Sequence, residues 1–238
     1  MSMQFYASPE QVMSDRAEYA RKNIARGRPL VGTVYDGGVL LVAENLSHSL
    51  HKISEIYDRI AFAGVGRYNE FDQLRVAGVR HADTKGYTYA REDVDARSLA
   101  NSYSQFMGQV FTHELKPFEV EILVAEVGVG SAPDQLYHIA FDGTVTDKDN
   151  FAVLGVLGGD GGAQVAERMN SHYRDGWSLE EALAAVVSSL EGPERRIEAS
   201  ALEVAMLVRD RPQRSFERMS EERISQLLGR GSDESGSA

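Results

Sequence analysis

The chain of 238 residues carries 25 Lys and Arg against 36 Asp and Glu, a formal charge of −11, so neither nucleic acid nor an anionic membrane is an expected partner. Its 42% hydrophobic residues suffice for one sizeable core, and no shift in composition marks a second domain. The absence of cysteine excludes disulfides, thiolate metal sites and a cysteine nucleophile, and with no signal-peptide pattern and no long apolar run the chain reads as cytoplasmic.

The first strong signal is a helix over 9–26. Ser8 suits its cap, Pro9 its first turn, and Ser8 with Gln11 has the spacing of a capping box. Met13, Ala17, Ala20 and Ile24 give one narrow apolar stripe, which predicts a helix docked on a neighbouring surface rather than a core helix. Arg21, Lys22 and Arg26 crowd the last turn, and Gly27 and Pro29 end it. Apolar runs at 30–35 and 38–44 flank an Asp-Gly turn, and "RIAFAGVG" (59–66) is another strand. Helical spacing follows in "NEFDQLRVAGVRHA" and in "RSLANSYSQFMGQVF". Strands return at 118–128 and in the Asp-Gly hairpin "QLYHIAFDGTVTD". Two more helices are predicted at 162–174 and from Ser178, where Ser178 and Glu181 form a capping box. A core strand at 201–209 precedes a terminal helix in "SEERISQLLGR", and the apolar-free tail 230–238 is expected to be disordered.

Strands, two helices, strands, two helices and a strand, with hairpins dominating, disfavour a doubly wound parallel sheet. The pattern predicts an α+β fold, a four-layer αββα sandwich, in a single domain over 9–229 with its core at about 30–210 and an extra helix in front.

The residues "SPEQVMSDRAEYARKNIARG", "GGVLLVAEN", "KISEIYDRI", "NEFD", "ADTKGY" and "KPFEVEILVAEVG" make the chain recognisable. Across nearly its whole length it resembles the α subunits of actinobacterial proteasome core particles, which have the αββα fold of the N-terminal nucleophile hydrolases. The resemblance implies a non-catalytic subunit that forms seven-membered α rings with copies of itself and caps rings of a catalytic β subunit. It also implies a pore gate and a docking site for the C-terminal tails of a ring ATPase activator, which in actinobacteria delivers proteins tagged with a small ubiquitin-like modifier. No cofactor and no metal are implied.

The Gly32-Thr33 junction raises the rival reading of an active hydrolase matured at Thr33. Related catalytic chains place the threonine ahead of the Gly-Gly pair at a spacing that falls here on Arg28; the acidic partner falls on Glu44 and the lysine on Lys52. Thr33 lies too far along, and a threonine of this class needs its own free amine as base. Thr33 is therefore expected to be a strand residue, with Glu44 and Lys52 left as a pair without a nucleophile.

By spacing alone Lys52 is an ordinary surface lysine. The resemblance places it, with Glu18 and Gly27, in the pocket that receives an activator's terminal carboxylate, for which an ammonium is suited. It likewise implies a gate in Ser2, Met3, Gln4, Phe5, Tyr6, Ala7, Ser8 and Pro9, although the Tyr-Asp-Arg signature of archaeal and eukaryotic gates is absent. The glycine-rich 155–164 lacks the Gly-Lys-Ser/Thr ending of a phosphate loop and carries Asp160, so it reads as a strand-to-helix turn; a stand-alone nucleotide-binding module is the third possibility. His48 and His51 have no third ligand nearby in sequence and are assigned no metal.

Overall fold

The structure, a computed structural model, describes residues 8–47, 49–157 and 160–229. Helix α1 (Pro9–Ile24) starts where Ser8 Oγ accepts from Gln11 N at 3.2 Å, with Pro9 at the first helical position. Only half of the expected capping box forms, because the Gln11 side chain donates to Asp15 Oδ1 at 2.7 Å instead. The hairpin β1 (Leu30–Tyr35) and β2 (Gly38–Glu44) follows, then β3 (Ile53–Tyr57), β4 (Ile60–Gly66), α2 (Tyr68–Thr88) and α3 (Ala96–His113). Strands β5 (Val120–Glu126), β6 (Gln135–Ile139), β7 (Val145–Lys148) and β8 (Phe151–Leu154) lead to α4 (Asp160–His172) and α5 (Leu179–Glu191). The chain continues through β9 (Leu202–Val208), β10 (Phe216–Arg218) and α6 (Glu221–Leu227).

The strands build two antiparallel sheets, ordered β10-β9-β2-β1-β8 and β3-β4-β5-β6-β7. Alternation along each strand assigns its side chains to layers. On β2, Val39, Leu41 and Ala43 enter the core between the sheets, joining Leu123 and Ala125 of β5, whereas Leu40 and Val42 face Leu183 and Val186 of α5. On β5, Ile122 and Val124 turn the other way, against Leu99 and Tyr103 of α3. Each sheet thus has two apolar faces, one for the opposite sheet and one for a helix pair, which is the αββα sandwich expected. The capping box of α5 is complete: Glu181 N donates to Ser178 Oγ at 3.3 Å and Ser178 N to Glu181 Oε2 at 2.9 Å.

Three strands escape the sequence reading. Strand β3 begins inside "KISEIYDRI" with polar residues alternating, β8 is four residues long, and β10 is three. Because β10 pairs with β9, the first sheet extends to 218, beyond the expected core limit near 210. Helix α1 also corrects its expectation. Ala20 and Ile24 are fully buried in the inter-sheet cluster of this same chain, and Arg16 donates to Phe111 O at 2.7 Å. The stripe is narrow because only the last turns of α1 enter the core; Val12 and Tyr19 stay exposed. Residues 1–7 of the expected gate and the tail 230–238 lie outside the described residues.

Candidate functional site

The site grows from the end of the inter-sheet core where β2, β3 and β9 meet the segment leaving α1. Strand β9 places Glu203, next to the register partner Ala43, on the face it shares with Ala205 and Leu207. A carboxylate there needs donors to offset its desolvation. It finds them in the main-chain N–H of Lys52 at 2.9 Å and of Ile53 at 3.1 Å, in Asn45 Nδ2 at 2.7 Å and in the Arg218 guanidinium. Glu203 therefore pins the first residues of β3 to the first sheet and fixes the backbone from which the Lys52 side chain springs.

The Lys52 ammonium donates to the main-chain oxygens of Glu44 at 2.9 Å and Arg28 at 3.2 Å. Burial lowers its pKa from 10.5 to about 8; the charge of Glu203 works against that shift and the Arg28 guanidinium adds to it. The pair expected from spacing thus takes an unexpected form. Lys52 meets the carbonyl of Glu44, while the Glu44 carboxylate points to the α5 side of the sheet and is held by guanidiniums. Arg195 grips both its oxygens, at 3.1 and 2.8 Å, and Arg28 forms an ion pair with Oε1. Both arginine side chains remain nearly half exposed, at 46% and 45%, whereas Glu44 is buried.

Gly27 is in place beside Lys52. Its N–H donates to Ile24 O at 2.8 Å, and a Cβ on it would stand 2.7 Å from Val65 Cγ1 and 3.1 Å from Gly66 N. Any larger residue would push the 27–29 segment off β4 and carry the Arg28 carbonyl away from Lys52. Glu18 is not brought in: it lies exposed on α1, joined by no hydrogen bond or ion pair to Lys52 or Gly27. Of the gate residues, Ser8 and Pro9 are described, as the cap and first residue of α1.

Thr33 is fully buried in β1, opposite Leu40 of β2 and Phe151 of β8. Its hydroxyl has only long contacts, 3.3 Å to Asn150 O and 3.4 Å to Val34 O. A Cβ on the preceding Gly32 would stand 2.5 Å from Leu123 Cδ2 of the opposite sheet, so the junction is packed with no room for a side chain. Cleavage there would remove Leu30 and Val31, both fully buried, and so dismantle the strand it was meant to activate. The maturation reading at Thr33 is thereby withdrawn.

Sequence reasoning missed Glu203, Arg195 and Arg218. Glu203 left a trace, a lone carboxylate inside the apolar run "ALEVAMLVR". Arg195, in "GPERRIE", left none, since its partner is 151 residues away. Among the described residues no group of three or more His, Cys, Asp or Glu is placed to hold a metal, and no helix is long and apolar enough to cross a membrane.

Comparison with known proteins adds a second line. A family model described as "Proteasome subunit" matches residues 24–208. The chain is 58% identical over 229 residues to a proteasome subunit alpha of Acidimicrobium ferrooxidans, covering 96% of this chain and 97% of the relative. It is 53% identical over 241 residues to the proteasome subunit alpha of Sanguibacter keddieii, covering 99% and 93%. With that of Thermobifida fusca the identity is 53% over 232 residues, covering 96% and 91%.

Proposed function

Because this chain belongs to the proteasome subunit family, as a non-catalytic α subunit of the core particle, we propose that it forms the outer seven-membered rings, gates substrate entry and docks a ring ATPase. Its partners are then copies of itself, the catalytic β subunit and the activator's C-terminal tails, in the cytoplasm. The substrates delivered are proteins tagged with a small ubiquitin-like modifier.

The observation that carries this reading is the state of the catalytic corner. Where a nucleophile would stand there is Arg28, whose carbonyl accepts from the ammonium that a working site would use. The ammonium itself is kept, immobilised by two carbonyls and by the Glu203 clamp on its backbone, and among the described residues no carboxylate oxygen binds it. A preformed cation bonded to no carboxylate among the described residues fits a partner's terminal carboxylate. Gly27 supports that geometry by keeping the 27–29 segment close against β4; Glu18, expected at the same pocket, is not joined to it within this chain.

Lys52→Ala, assembled with the β subunit, is expected to weaken each activator tail about thirtyfold, roughly 2 kcal/mol, and several tails on one ring would compound the loss. Basal hydrolysis of short peptides should not change. Undiminished activator-stimulated degradation by Lys52→Ala particles would exclude the docking role. The gate reading rests on the sequence of residues 1–9 and is tested separately: deleting residues 2–8 should raise peptide hydrolysis by the assembled particle, and an unaltered rate would refute it.

A further inference from the structure

The Glu44 carboxylate has more cation than it needs. Arg195 alone satisfies both its oxygens in a two-pronged grip, at 3.1 and 2.8 Å, and spends a further N–H on Leu190 O at 3.1 Å. Such a fork engages both oxygens with one cation and by itself neutralises the carboxylate. Arg28 adds a second guanidinium to Oε1 of the same group, yet its side chain is 45% exposed and makes no other side-chain bond among the described residues. Two guanidiniums, Arg28 and Arg195, stand on the Glu44 carboxylate and Lys52 on its main-chain oxygen, while Glu203 is matched by Arg218.

We propose that Arg28 is a second anion-recognising residue of the Lys52 site, whose guanidinium leaves Glu44 to Arg195 and turns to the free α-carboxylate of an incoming peptide C-terminus. The inference rests on the docking reading above and adds a residue to it. The geometry limits what Lys52 can do alone: two of its three N–H groups are committed to carbonyls, so it offers a carboxylate one bond. Arg28, anchored by its own carbonyl to that ammonium, is attached where a second oxygen of the same carboxylate would lie within its reach. An arginine offers a paired set of donors that lysine cannot. Position 28 is therefore converted from the place of a nucleophile to a prong of a receptor.

The pH dependence separates the two cations. Lys52 is faced by Arg28 from the segment after α1, by Glu44 from β2, by Glu203 from β9 and by Arg218 from β10, with His51 preceding it. Its ammonium is largely lost above a pKa of about 8, whereas a guanidinium stays charged. Binding at pH 9 should therefore lean on Arg28.

The test uses the full α chain assembled with its β subunit, and as probe a fluorescein-labelled octapeptide copying the C-terminus of the organism's ring ATPase, with its C-terminal amide as control. Fluorescence anisotropy at pH 7 should show Arg28→Ala weakening the carboxylate peptide about tenfold and leaving the amide within about twofold, with Arg28→Lys between Arg28→Ala and the parent. From pH 7 to pH 9 the parent should lose less than about threefold and Arg28→Ala about tenfold more. Glu44 keeps Arg195 in every variant, and an unchanged melting temperature verifies the fold. If Lys52→Ala abolishes binding while Arg28→Ala binds as the parent does, this inference fails and the docking reading stands. If Arg28→Ala weakens carboxylate and amide alike, the residue only shapes the site and the inference also fails. If neither variant changes binding, the docking reading itself is wrong.

Discussion

Replacing Glu203 by Gln should destabilise this chain far more than an isosteric change of one atom would suggest. Both oxygens of the carboxylate accept from two N–H donors each: Oε1 from Ile53 N and Arg218, Oε2 from Asn45 Nδ2 and Lys52 N. A glutamine must present its NH2 to one of these pairs, so two donors face a donor and a third is added. The side chain is only 7% exposed, and the adjoining cleft of about 180 Å³ gives water a partial route to the stranded groups. Hydrogen bonds to a charged acceptor contribute about 1.5–3 kcal/mol each, and breaking a buried ion pair costs about 3–5 kcal/mol. With water offsetting some of that, the loss should be about 3 kcal/mol for Glu203→Gln and about 4 kcal/mol for Glu203→Ala. Urea unfolding of the purified chain, read by circular dichroism and tryptophan fluorescence together, measures it. A Glu203→Gln chain within 1 kcal/mol of the parent would refute the idea that this carboxylate clamps β3 to the first sheet.

Lys52→Met should be more stable than the parent near pH 7, with the difference closing as pH rises through 8 toward 10.5. Burial lowers the folded ammonium's pKa to about 8, so in that window the unfolded chain binds more protons than the folded one, and the parent gains up to about 3 kcal/mol as pH rises. Urea midpoints from pH 7 to 10 that run parallel for the two chains would contradict this. Thr33→Val should leave peptide hydrolysis by the assembled particle unchanged and move stability by less than about 1 kcal/mol, since its hydroxyl makes only two long contacts; a lost activity would reinstate a role for it. Ile24→Ala should cost about 3 kcal/mol and Met13→Ala under about 1, because only the first is fully buried; equal melting temperatures would show that α1 does not seal the inter-sheet core.

The layers were legible because every large element carries a period. The hairpin of β1 and β2, the alternation of β5 and the capping box at Ser178 are local patterns, and local patterns survive in a sequence. Strands β3, β8 and β10 were not legible for the opposite reason: they are five, four and three residues long, and are held by neighbours rather than by their own propensity. The half-formed cap at Gln11 shows the same limit at one side chain, where Asp15, one turn on, outcompetes the Ser8 N–H. For α1 the pattern was read correctly and its meaning was not. A thin stripe can serve a core helix when only the last turns reach the core, and nothing in the spacing of Met13, Ala17, Ala20 and Ile24 distinguishes that from a helix lying on a surface.

At the site, the spacing borrowed from related catalytic chains led to residues that are neighbours, but not to the bonds between them. Counting from the Gly-Gly pair led to Arg28, Glu44 and Lys52, and these are neighbours in space, yet a count cannot say which atom of Glu44 meets the ammonium. That choice is made by the pleat of β2, which turns Glu44 to the helix side with Leu40 and Val42, where Arg195 binds its carboxylate and only its main-chain carbonyl is left for Lys52. With the acid turned away, the lysine loses the partner that a proton relay would require. With Arg28 inside a continuous chain, there is no free amine to act as base. What persists is a desolvated ammonium with one unused donor, flanked by an always-charged guanidinium. Without a nucleophile or a carboxylate partner the ammonium has no proton relay to serve, which is why the proposed role for this corner is to hold an anion.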